Sequence, residues 1–239
     1  MAAGRWARRA TVWMALLCLC GCAGRGSGMG TAVEFRAPSV PDAEIRPLLD
    51  GVETIGVLSA TDIMPLQDLD IEKVMGRLTD ATAGGLRNLS DRTVIGQDEI
   101  RWHFRDVELD SAAVFSDSLK SAMVSELGLD ALVFVTLRSL DARMSPMTPT
   151  PYGGMAANPR VNITVNLHLL LVNLATGGHW SHEGRHSSWQ PVQLDILGGG
   201  RDRTERQMLT ALAPPLRQFL ARVAPPPSRQ TRRFDSSGD

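Results

Sequence analysis

Hydrophobic and polar positions change period several times along this chain, and the clearest pattern lies between residues 131 and 189. Residues 131–137 (Ala-Leu-Val-Phe-Val-Thr-Leu) form an almost continuous apolar run, which predicts a strand buried on both faces. Val161, Ile163, Val165, Leu167, Leu169 and Leu171 then alternate with Asn162, Thr164, Asn166 and His168. That period of two predicts a strand with one apolar and one polar face. Ala175-Thr176-Gly177-Gly178 suits a tight reversal, and residues 179–189 form the returning strand of a hairpin. Upstream, residues 52–58 predict a strand. Residues 70–89 predict a helix with Ile71, Val74, Met75, Leu78, Ala81 and Leu86 on one stripe. Thr93, Val94 and Ile95 suit a strand, and Ile100, Trp102 and Phe104 alternate like a sheet edge. Asp110 or Ser111 caps a further helix that carries Phe115, Leu119, Ala122, Met123 and Leu127 and stops at Gly128. A last helix over 204–223 places Met208, Leu212, Leu216, Phe219, Leu220 and Val223 on one side, with a kink or break at Pro214-Pro215. This order predicts one α/β domain over 52–223, a mixed β-sheet with flanking helices.

The ends carry different patterns. Arg5, Arg8 and Arg9 precede an apolar stretch, residues 10–19, that is too short to span a bilayer as a mature helix. The stretch closes on Leu19-Cys20-Gly21-Cys22, which resembles the bacterial lipobox, with cleavage before a lipidated Cys22. An ordinary secretory signal fits less well, because it ends in a small-x-small site; export follows on either reading. Residues 1–21 are thus expected to be a signal peptide and 22–51 a lipidated, flexible Gly- and Pro-rich linker. Residues 224–239, polar and Pro-rich, are expected to be disordered. Losing residues 1–21 removes three arginines and no acid, taking the formal charge from −1 to −4. That balance argues against a nucleic-acid surface. Cys22 would be the only remaining cysteine, so no disulfide supports the fold.

One string looks catalytic. His182-Glu183-Gly184-Arg185-His186 matches the H-E-x-x-H of zinc hydrolases. That spacing works on a helix, where residues four apart stack on one face about 6 Å apart. On a strand the two histidines would lie about 13 Å apart, beyond the reach of one zinc with bonds of about 2.0–2.1 Å. Gly177-Gly178 before the string and Gly184 inside it favour the strand, so no metal, cofactor or catalytic residue is expected. Trp180 and Trp189 suit sheet packing better than a sugar platform.

Residues 55–58 (Ile-Gly-Val-Leu), residues 126–134 (Glu-Leu-Gly-Leu-Asp-Ala-Leu-Val-Phe) and the hairpin string Thr176-Gly177-Gly178-His179-Trp180-Ser181 together resemble a family. It is that of the periplasmic lipoproteins related to penicillin-binding protein activators and the curli-assembly secretion lipoprotein. The resemblance covers about residues 50–190. Leu129 and the pair Asn173-Leu174 depart from the family pattern. The resemblance implies a non-enzymatic, outer-membrane-anchored protein facing the periplasm. Its partner would be an envelope protein, either a peptidoglycan synthase or a component of a secretion or appendage assembly. A pore-forming role would need two long amphipathic hairpins, and residues 139–160 hold too many prolines and glycines to supply them. That connection has no helical or strand pattern, and Met144, Met147, Tyr152 and Met155 within it are the expected partner-binding residues.

Overall fold

The computed structural model describes residues 31–64, 69–107, 109, 115–145, 148–149, 155–156, 160–191 and 200–234. They form two units, a body over Pro38–Ser228 and a pairing of the segments on either side of it. In the second unit strand β1 (Thr31–Ala37) pairs with a strand near the C-terminus, β9 (Ser228–Phe234). A structureless tail therefore does not hold for Ser228–Phe234, whose backbone bonds are satisfied by a strand distant in sequence.

In the body, β2 (Thr54–Thr61), β3 (Thr93–Ile95), β4 (Ala131–Met144), β7 (Arg160–Asn173) and β8 (His179–Pro191) build one mixed sheet in the order β3-β2-β4-β7-β8. β2 runs parallel to β3 and β4, while β4, β7 and β8 are successively antiparallel. Helices α2 (Ile71–Leu86) and α5 (Gly200–Val223) cover one face, and α3 (Gln97–His103) and α4 (Asp117–Leu127) part of the other. The alternation in β7 sorts as expected: Val165, Leu167, Leu169 and Leu171 are fully buried beneath the first layer. Each contributes about 1.5–3 kcal/mol of apolar burial before chain entropy is subtracted.

The motif residues around 128–130 and 173–178 act structurally. Gly128 ends α4 in the left-handed conformation at φ +61. The Asp130 carboxylate accepts the backbone N–H groups of Glu53 and Thr54, both at 2.9 Å, locking the start of β4 to the start of β2. Asn173 donates to the Leu48 carbonyl at 2.9 Å and accepts from Ala175 and Thr176 in the turn. An amide at 173 can make both kinds of bond, which a carboxylate cannot.

Four expectations need correction. The short helix α1 (Arg46–Leu49) and the preceding Ile45 lie inside the body, with Ile45 and Leu49 buried, so the fold begins before residue 52. Residues 100–103 are helical rather than an edge strand, with Phe104 as C-cap, because Ile100 and Phe104, four apart, both enter the core while Trp102 stays exposed. The described part of the helix capped at 110 or 111 starts at Asp117, with Ser116 as N-cap. Finally, the break allowed at Pro214-Pro215 does not occur, because α5 runs through both prolines as one helix. Buried Met208, Ala211 and Leu212 before the prolines, and Leu216, Phe219 and Val223 after them, anchor both halves to one sheet face.

Candidate functional site

The H-E-x-x-H string lies on β8 as the glycines indicated, with His182 opposite Leu169 and His186 opposite Val165. Both imidazoles project toward α5, about 13 Å apart along the strand. Gly184 lies between them directly under Pro215; a Cβ at this position would come within 2.4 Å of the Pro215 Cβ. Glu183 projects from the opposite face, where it accepts a hydrogen bond from Asn166 Nδ2 at 2.8 Å. The string is thus split between two sides of a sheet and cannot converge on one ion. Burial, reinforced by the charge of Arg222, lowers the pKa of His182 despite a side-chain hydrogen bond to Gln218, so its neutral form prevails near neutral pH. Trp180 beside it is a packing residue. Its ring stacks on Phe219 at 5.7 Å, its Nε1 donates to Glu44, and the Arg222 guanidinium lies over it at 4.9 Å.

The face carrying Glu183 is the candidate site. Cross-strand rows run β4–β7–β8 across it: Thr136–His168–Glu183, Ser139–Asn166–Arg185, Asp141–Thr164–Ser187 and Arg143–Asn162–Trp189. Nearer the hairpin turn the same face becomes apolar at Leu170 and Val172, and there it meets Leu119 and Met123 of α4. Beyond that point Thr136 is still buried, while in the last three rows the β4 and β8 residues are exposed and the β7 residues half-buried.

A hydrogen-bond network runs through the rows. Ser187 Oγ donates to Asn162 Oδ1 at 2.8 Å and lies 3.1 Å from Thr164 Oγ1. Arg143 Nε meets Asp141 at 2.7 Å, and Arg138 reaches Glu183 at 3.8 Å. The bond from Asn166 holds the Glu183 carboxyl below its usual range, with Arg138 and His168 adding to the effect. Burial, then the Arg138 charge, lowers the pKa of His168 against the pull of Glu183 and Asp62. Arg160 and Arg185 have no ion-pair partner among the described residues. Four arginines (138, 143, 160 and 185) against three acids (62, 141 and 183) leave this patch a small positive excess on a chain of formal charge −1. Thr136 Oγ1 and Asn166 Oδ1 are buried here with bonding capacity to spare.

The residues expected to bind a partner fall at the end of this patch only in part. Met144 ends β4 and is 63 % exposed, but it is paired with Val161 and so projects from the opposite face of the sheet. Met155 lies in the two-residue strand β6 (Met155–Ala156), paired with β5 (Thr148–Pro149). Met147, Tyr152 and Cys22 lie outside the described residues. β4 and β7 stay paired out to Met144 and Val161, so the connection expected over 139–160 shortens to 145–159. Trp189 is the larger correction. It projects from the open face with 48 % of its surface exposed, and only Trp180 packs as expected. The polar alternation at 162–168 and the alternation of Ser and Trp in 187–189 are the sequence signals that mark this face.

No family model matches the chain, and no curated protein matches it. Solved structures do. The lipoprotein GNA1162 from Neisseria meningitidis is 13 % identical with a TM-score of 0.40, covering 70 % of this chain and 99 % of that one. The hypothetical protein CT253 from Chlamydia trachomatis is 9 % identical with a TM-score of 0.41, over 72 % and 95 % of the two chains. The LpoB C-terminal domain from Salmonella enterica is 14 % identical with a TM-score of 0.32, over 59 % and 90 %.

Proposed function

We propose that this protein is a non-enzymatic lipoprotein of the bacterial envelope, held to the outer membrane through Cys22. It acts as an interaction module that docks an envelope protein on the open face and tip of β4–β7–β8. The observation that carries the reading is the exposed β4 and β8 side chains of that face, Arg143, Arg185 and Trp189 among them. Aromatic and arginine side chains are the groups that most often dominate protein interfaces. An excess of guanidinium groups selects a partner with an acidic surface. The lipobox-like string supports the anchor, and no helix among the described residues is long and apolar enough to cross a membrane. The resemblance seen in the sequence makes a peptidoglycan synthase the first partner to test.

The experiment is a binding titration of purified synthase against wild type, Trp189→Ala and Arg143→Ala. The expected result is a loss of about tenfold or more per substitution, about 1.4 kcal/mol, with unchanged thermal unfolding. Equal binding by well-folded variants would remove the face from the account.

A further inference from the structure

The second exposed feature of the body is an edge. β8 is the last strand of the sheet, and among the described residues nothing pairs with its outer side. Asn173 N–H donates to the Gly178 carbonyl, and Leu174 N–H to that of Asp130. In antiparallel pairs the bonded direction alternates along each strand. The even-numbered residues of β8 therefore bond to β7. His179, Ser181, Glu183, Arg185, Ser187 and Trp189 aim their backbone N–H and C=O groups outward, and all six are exposed. Natural edges are blunted by lysines, prolines or bulges. Up to Trp189 this one has no lysine, no proline and no register shift against β7.

We propose that β8 pairs antiparallel with β8 of a second copy about a two-fold axis at Gly184, joining two five-stranded sheets into one. Three observations select this occupant and this register. Centring on Gly184 sets Glu183 opposite Arg185 of the second copy, and Arg185 opposite Glu183 of the second copy, giving two charge-complementary pairs. It also sets Ser181 against Ser187 and His179 against Trp189. Slipping to the neighbouring registers opposes Arg185 to Arg185 or Glu183 to Glu183, and like charges directly opposite destabilise a ladder.

The helix layer agrees. α5 packs along β8 and β7: Gln190 Nε2 donates to the Gln207 carbonyl, Pro215 sits on Gly184, and Phe219 stacks on Trp180. Its other flank meets α2, through Leu220 near Gly85 and Glu205 with Lys73 at 2.9 Å. On the flank toward the edge Gln207, Pro214 and Gln218 are uncharged and at least partly exposed, and the stripe reaches a charge only at Arg222. Pairing through β8 brings the two α5 helices to about two strand spacings, about 10 Å, a normal interaxial distance. The interface leaves Asn162 and Thr164 of β7 and Arg143 of β4 open and shares only the β8 edge residues with the docking face, and the dimer is read out without the envelope partner, so its test is separate from that of the docking proposed above.

The test is sedimentation equilibrium of the full chain in mild detergent, wild type against Arg185→Glu. The wild type is expected to dimerise, and Arg185→Glu to weaken the dimer by about tenfold or more, since it opposes two carboxylates at each pair. A wild type that stays monomeric, or a dimer indifferent to Arg185→Glu, overturns the proposal. A cross-link keeps the question decidable if Arg185→Glu fails to fold. With Cys18, Cys20 and Cys22 changed to serine, Ser181→Cys with Ser187→Cys should give a disulfide-linked dimer on oxidation, while either change alone should not. Equal cross-linking by the single variants, or none by the pair, counts against this register.

Discussion

Gly184 decides whether a zinc-site string or a strand occupies residues 182–186. Its missing side chain lets Pro215 settle on β8, and the hypothetical Cβ would meet both Cβ and Cα of that proline. Neither partner is the loose end of a long side chain, so Gly184→Ala is expected to destabilise the fold by about 1–3 kcal/mol through overpacking. Thermal unfolding measures this, and an unchanged midpoint would contradict the contact. The histidines give a pH dependence. His168 and His182 have folded pKa values below their ordinary one, so the unfolded chain takes up their protons first as pH falls. Their contribution to stability is complete above about pH 6.5 and is lost as pH falls from there toward their folded values. Unfolding midpoints at pH 7.5 and pH 5.5 should therefore lie closer together in His182→Gln than in wild type; an equal or wider gap would contradict the assignment.

Among elements, those with a long single period were legible. β7 and α2 were read from spacing alone because one face of each meets one core. Three others were hidden for separate reasons. In β4 the register shift between Leu137 and Ser139 breaks the alternation, so the strand's second half reads as loop. In α3, Ile100, Trp102 and Phe104 fit both periods, and seven residues are too few to choose between them. In α1, Ile45 and Leu49 are spaced for a helix but stand among charges and a proline. The candidate face was legible only as the polar half of an alternation; nothing in one strand's sequence tells whether a helix will cover it. The tip can be tested as an element. Replacing residues 146–157 with a Gly/Ser linker of equal length should leave stability almost unchanged, since no buried residue of β4 or β7 is touched. Synthase binding should fall by about tenfold or more. Full binding by a stable variant would confine docking to the face.

At the scale of the molecule, the proposed function joins a lipid anchor at Cys22 to a docking surface on the body. One acyl chain holds a protein marginally and several hold it firmly, so lipid on Cys22 should decide where the protein is found. Cys22→Ser is expected to move it from the membrane fraction to the soluble one; unchanged sedimentation would remove the anchor. The central claim is that the open β4–β7–β8 face meets an envelope protein. Photo-crosslinking residues placed one at a time at positions 143, 162 and 189 in living cells test it most directly, with positions 206, 210 and 217 on the exposed side of α5 as controls. The account predicts one common crosslinked envelope protein from the three face positions and none from the controls. Crosslinks from the controls alone, or silence at all three face positions in a stable, membrane-held protein, would contradict it.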